Sequence, residues 1–176
     1  PFNLNNFLSN TEDNFIKKLN PVYEAIRTTR TNLNTNKSLI SFIGAPWTLL
    51  VYMFGLKTEN NQINISKLKT FEPEIKTVLE KINKYLCTHI INQIKSGADL
   101  VQIFDSWAGL IPKEKLFDYC YEPNRKIVEF CKENKIPVIC FPKGIKENYL
   151  KFAEKVNPDC LSLDYDLDPV WAKEKL

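Results

Sequence analysis

Four short apolar runs punctuate the chain, at residues 39–44, 100–104, 137–141 and 160–163. Each has the length of a buried strand, and each is followed by sequence of helical character. The clearest helix carries Ile75, Val78, Leu79, Ile82, Leu86 and Ile90 at spacings of three and four. Thr70 is its expected cap, Glu72 and Glu74 suit its positive first turn, and Gly97 supplies a left-handed exit. A second helix is expected from Asn20 as N-cap and Pro21 as first helical residue, with Val22, Ile26 and Leu33 on one face. Residues 45–53 read as helical and 57–69 as a polar loop. Helical pieces follow over 113–132 and 150–156, and Asp168-Pro169 opens a terminal helix. The first 13 residues are polar, Asn-rich and without a period, and read as a connecting segment.

Strands alternating with helices, the strands apolar throughout, mean a parallel sheet covered by helices. An open doubly wound sheet usually carries a Gly-rich turn after a strand, and neither GxGxxG nor a Walker A run occurs. A (β/α)8 TIM barrel needs no such turn and places its sites where strands end and loops begin. A barrel takes ~250 residues. The 176 residues are therefore expected to hold about four central βα units of one barrel domain, with its N- and C-terminal parts outside them.

Composition narrows the classes without adding chemistry. Hydrophobic residues make up 44% and charged residues 26%, which sets disorder aside. Twenty-four Lys and Arg against 21 Asp and Glu leave +3, evenly spread, so no nucleic-acid partner is expected. No apolar run reaches the ~18–20 residues of a membrane span. Cys87, Cys120, Cys131, Cys140 and Cys160 form no CxxC, and an odd total argues against a disulfide framework or a zinc module. Cys140 and Cys160, on strands, are expected to fill the core, and Trp47, Trp107 and Trp171 to pack.

Polar groups gather at the strand ends. Phe42 and Gly44 share one strand face, where glycine lets a ligand approach the backbone, and Tyr52 lies on the helical stretch that follows. The alternative is a core aromatic beside a capped helix. Asp105 and Ser106 follow the second strand, placed either to cap a loop or to bond a ligand carboxylate. Ser106 has no histidine nearby in sequence, and His89, the only one, lies within the long helix as a structural or surface residue. Lys143 is open to reading as an anion ligand or a solvated loop charge. Asp164 and Asp166 have too few oxygen partners around them for a hard-cation loop and read as loop structure.

Two segments go further. Phe42-Ile43-Gly44-Ala45-Pro46-Trp47-Thr48-Leu49-Leu50-Val51-Tyr52-Met53 and Leu100-Val101-Gln102-Ile103-Phe104-Asp105-Ser106-Trp107-Ala108-Gly109 resemble the two central signatures of the uroporphyrinogen decarboxylase family. Phe141-Pro142-Lys143-Gly144 and Leu163-Asp164 fit downstream. The resemblance implies a (β/α)8 barrel, a homodimer, no metal and no organic cofactor. It implies removal of four acetate carboxyls from uroporphyrinogen III as CO2, giving coproporphyrinogen III for haem synthesis. It carries substrate binding onto Phe42, packed on the macrocycle, and onto the hydroxyls of Tyr52 and Ser106. No catalytic residue carries over. The family's Arg-rich motif, axial Asp and C-terminal His find no match and are expected before Pro1 and after Leu176, so residues 1–176 alone are expected to be inactive. Phe54-Gly55-Leu56-Lys57 stands where the family has a run of glycines.

Two rivals frame this reading. A cobamide-dependent methyltransferase shares the fold but activates a thiol on zinc through His and Cys, and a non-catalytic barrel remnant would only bind a tetrapyrrole. The free cysteines favour the cytoplasm, with a plastid as the alternative.

Overall fold

The computed structural model describes residues 2–176. Among the described residues, eight α-helices and four strands alternate through most of the chain. They run α1 (Leu4–Ser9), α2 (Glu12–Asn32), β1 (Ile40–Gly44), α3 (Pro46–Met53), α4 (Ile65–Thr70), α5 (Glu72–Lys95), β2 (Leu100–Asp105), α6 (Glu122–Glu133), β3 (Val138–Pro142), α7 (Tyr149–Val156), β4 (Cys160–Leu161) and α8 (Pro169–Lys175). The strands form one parallel sheet in the order β1-β2-β3-β4. This is the expected βα series, each strand pairing with the next.

The two faces of the sheet differ sharply. Ile43, Val101, Ile103, Val138 and Cys140 are buried beneath the helices, together with Trp47, Leu50, Ile127 and Phe152. The alternate residues face the other way, and there Phe42 is 68% and Ile40 49% exposed. Strands apolar on both faces are built for cover on both sides, and the described helices cover only one. Cys160 is level with Ile139 in the register and exposed, so it does not fill the core as expected, whereas Cys140 does. Strand alternation explains the split, because neighbouring parities face opposite ways.

The helices also depart from expectation at their starts. α2 begins eight residues before Asn20, with the Thr11 hydroxyl accepting from the Asn14 N–H and with Glu12 and Asp13 in the first turn. Pro21 lies inside this helix. The buried face is set by Tyr23 rather than Val22, and Phe15, Ile16 and Leu19 extend it upstream of the proline. That continuous packing against α5 sustains the helix through a residue that lacks an N–H. Phe15 stacks on Tyr85 at 4.6 Å, and Lys81 and Tyr85 both donate to the Asn10 carbonyl. The Asn-rich start is thus helical at α1 and tied onto α5. Residues 57–69 are not all loop: α4 forms over Ile65–Thr70, the Asn64 side chain accepting from the Lys67 N–H, and Thr70 therefore does not cap α5. It ends α4, its hydroxyl donating to the Lys67 carbonyl, and α5 starts after Phe71 without a side-chain cap. Gly97 ends α5 at φ +112°, as the exit requires.

Candidate functional site at the strand ends

Phe42 sits on β1 on the open face of the sheet. The register sets Gly44 beside Phe104 and Phe104 beside Phe141. Three rings then cross three strands edge-to-face, Phe42 to Phe104 and Phe104 to Phe141 both at 6.1 Å between centroids. Sequence reading singled out Phe42 and missed Phe104 and Phe141 as its companions. The available signal was their matching place near the end of each apolar run. Which of them are neighbours depends on register.

Ser106 follows the last residue of β2 and is exposed. Tyr52 occupies the last turn of α3, 59% exposed, with its ring edge-on to Trp107 at 6.1 Å. The three expected substrate residues therefore lie along one path, from Phe42 through Phe104 up to Ser106 and across Trp107 to Tyr52. Among the described residues neither the Tyr52 phenol nor the Ser106 hydroxyl has a hydrogen-bond partner, so both are free to meet a ligand.

The loop carrying Ser106 is held from behind. Trp47 is fully buried, stacks on Tyr119 at 5.2 Å, and donates its indole N–H to the Trp107 carbonyl at 3.0 Å. On the other side the Gly109 N–H donates to the Lys143 carbonyl at 2.9 Å, and the Lys143 N–H to the Asp105 carbonyl at 3.1 Å. A Cβ on Gly109 would stand 2.6 Å from the Gly144 carbonyl oxygen, so only glycine allows these loops to touch. Asp164 continues the chain of ties, accepting from the Gly144 N–H at 2.7 Å and the Tyr149 hydroxyl at 3.1 Å. These bonds tie loop to loop, as expected for an acid with too few oxygen partners around it for a cation site. No three His, Cys, Asp or Glu side chains among the described residues converge in a way that would hold a metal ion.

Asp105 points away from this rim. It is buried under the helices, where the Thr48 hydroxyl donates to one oxygen at 2.9 Å and the Asn124 amide to the other at 3.2 Å. A turn of π-helix at Phe117–Tyr121 precedes α6, and the same Asn124 amide also donates to the Cys120 carbonyl inside it. Asp105 thus joins α3, β2 and α6. Burial pushes its carboxyl up from 3.8 to about 6, against the hydrogen bonds that favour the anion.

Because the folded value lies above the unfolded one, the folded state holds the proton more tightly. Stability therefore falls as pH rises from about 4 to about 6, by roughly 3 kcal/mol from this group. Urea unfolding of the protein and of Asp105→Asn across pH 4 to 7 should show the variant gaining relative to wild type as pH rises. A constant difference across that range would remove Asp105 as the titrating group.

His89 is structural. The Gln93 amide nitrogen serves both the Phe42 carbonyl at 3.2 Å and His89 Nε2 at 2.6 Å, which makes Nε2 the acceptor and leaves the Nδ1 proton for the Tyr23 oxygen at 3.0 Å. Burial pushes its pKa down to about 4. The arginines are also away from the rim: Arg27 pairs with Glu24, Arg30 with Asp99, and Arg125 with Glu122 and Glu129.

Known proteins match this arrangement. The family model described as "Uroporphyrinogen decarboxylase (URO-D)" matches residues 4–176. A protein named uroporphyrinogen decarboxylase from Orientia tsutsugamushi (strain Boryong) is 41% identical over 155 residues, covering 85% of this chain and 45% of that protein. Its namesake from Rickettsia bellii (strain RML369-C) is 40% identical over 157 residues, covering 87% and 46%. One from Jannaschia sp. (strain CCS1) is 34% identical over 169 residues, covering 94% and 49%. Among solved structures, a methyltransferase from Methanosarcina mazei superposes with a TM-score of 0.62 over 80% of this chain and 40% of that one, at 14% identity. That likeness is one of fold alone and agrees with a partial (β/α)8 barrel. The chain spans about half the length of the curated relatives it matches. With the strand-end motifs assembled on one rim and the family's pattern running from residue 4 to residue 176, this chain belongs to the uroporphyrinogen decarboxylase family.

Proposed function

We propose that the complete protein decarboxylates uroporphyrinogen III to coproporphyrinogen III, and that residues 1–176 form the central part of its single barrel domain. The observation that carries this reading is the placement of Phe42, Tyr52 and Ser106 along one rim of a sheet whose sequence follows the family throughout. In each step one acetate side chain loses CO2 and gains a proton, leaving a methyl group, four times over. The electrons of the breaking C–C bond need a sink, which a protonated pyrrole supplies.

The Phe42–Phe104–Phe141 row offers an apolar wall for a macrocycle, and rings meeting edge-to-face hold such a wall rigid. The hydroxyls of Tyr52 and Ser106 are donors for substrate carboxylates. This half of the barrel binds and orients, and the proton transfer and charge stabilisation belong to groups not gathered on this rim. The reading includes a homodimer, an enzyme working without metal or organic cofactor, and a cytoplasmic location. No helix among the described residues is long and apolar enough to cross a membrane.

The test is turnover by the complete product of the gene encoding this chain. It is expected to form coproporphyrinogen with no added metal and to keep its activity in chelator. Full loss of activity on chelation, restored by zinc, would shift the case to the methyltransferase reading.

A further inference from the structure

We propose that Lys57 and Lys143 form a cationic rim that binds peripheral carboxylates of the polycarboxylate ligand. The inference rests on the proposed substrate class.

Lys57 lies in the loop that follows α3. Gly55 adopts φ +56° directly after α3, its carbonyl accepts from Lys67 Nζ at 3.1 Å, and the chain reverses. Lys57 then bridges to Ile63 across a short antiparallel turn, with Asn64 N–H donating to the Leu56 carbonyl at 2.8 Å. Leu56 and Ile63 are buried, so this turn is anchored. From it the Lys57 ammonium stands over the Trp107 ring, 5.3 Å from the centroid. The same ring meets Tyr52 at a near-perpendicular angle, so Lys57 and Tyr52 both flank Trp107.

Lys143 flanks the same loop from the other side through its backbone bonds to Asp105 and Gly109. It is exposed, and it follows Phe141 by two residues at the end of β3, as Ser106 follows Phe104 at the end of β2. Among the described residues neither lysine makes an ion pair, whereas all three arginines do. Asp164, the acid beyond Lys143, is held by the Gly144 N–H and the Tyr149 hydroxyl. A macrocycle bearing eight carboxylates and lying on the Phe42–Phe104–Phe141 wall carries its charges at its periphery, toward the loops that carry Lys57 and Lys143. Rim charges of this kind act chiefly on capture and on its salt dependence.

The experiment is fluorescence titration of the complete protein with a porphyrin octacarboxylate, with turnover of the corresponding porphyrinogen measured alongside. Lys57→Gln and Lys143→Gln are each expected to weaken binding about three- to tenfold, to flatten its dependence on salt, and to raise KM with kcat unchanged. Lys57→Arg should restore binding, and Lys126→Gln on the outer face of α6 should change nothing. Unaltered binding by both glutamine variants in an enzyme that still decarboxylates overturns the lysine rim and leaves the proposed function standing. Lysine-dependent binding without decarboxylation overturns the function and upholds the rim. A wild-type protein that binds no porphyrin carboxylate overturns both.

Discussion

Replacing Tyr52 with phenylalanine is expected to lower kcat/KM for uroporphyrinogen about ten- to a hundredfold while leaving the fold intact. The phenol is exposed on the last turn of α3, and its oxygen has no partner among the described residues. Removing it therefore strands no buried group and opens no cavity. The ring stays, and with it the edge-on contact to Trp107. On the proposed function, what is lost is one charge-assisted hydrogen bond to a substrate carboxylate, worth about 1.5–3 kcal/mol, which gives the stated range in rate. Thermal unfolding and steady-state kinetics on the same variant decide the matter. Unchanged kcat/KM with normal melting would leave the phenol without a substrate, and normal kinetics with lowered melting would make Tyr52 a packing residue.

Trp47→Ala should act in the opposite sense. This indole is fully buried, stacked on Tyr119, and surrounded by α3, β2 and the approach to α6. Truncation leaves a large cavity and costs about 3–5 kcal/mol, read as a lowered urea midpoint in the complete protein. It also frees the Trp107 carbonyl, which the indole N–H holds at 3.0 Å. Trp47→Phe separates the two effects. It keeps most of the packing and removes the N–H, so its stability loss should be much smaller while KM rises through a loosened Ser106 loop. Equal urea midpoints for wild type and Trp47→Ala would contradict the packing described here.

Tyr52 and Ser106 are exposed and present their hydroxyls outward. Trp47, Asp105 and Gly109 place the loop that presents them. The pH response of Asp105 belongs to this second group, since its carboxylate lies between the Thr48 hydroxyl and the Asn124 amide.

Local pattern was enough for the four strands and for most of the helices between them, but it missed α1 and α4, which lie in stretches that read as a connecting segment and a polar loop. Unbroken apolar runs marked β1 to β4, and spacing at three and four marked α5, because both periods are set by backbone geometry within a few residues. Asp168 was legible as the cap of α8 for the same reason, its carboxylate accepting from the Val170 N–H two residues on. The resemblance of the two central motifs then pointed to Phe42, Tyr52 and Ser106. Where helices begin was less legible. Thr11 and Asn20 are both good caps, and only the packing of Phe15 and Tyr23 onto α5 shows that α2 runs through Pro21. Strands apolar on both faces also do not say which face the helices cover. That left Cys160 wrongly placed and the ring row of Phe104 and Phe141 unseen until register joined the strands. The partners of Asp105 lie 57 and 19 residues away, and the ammonium of Lys57 meets a ring 50 positions down the chain. Such contacts leave no period in the sequence, because they are made by chain crossings that the tertiary structure alone brings about.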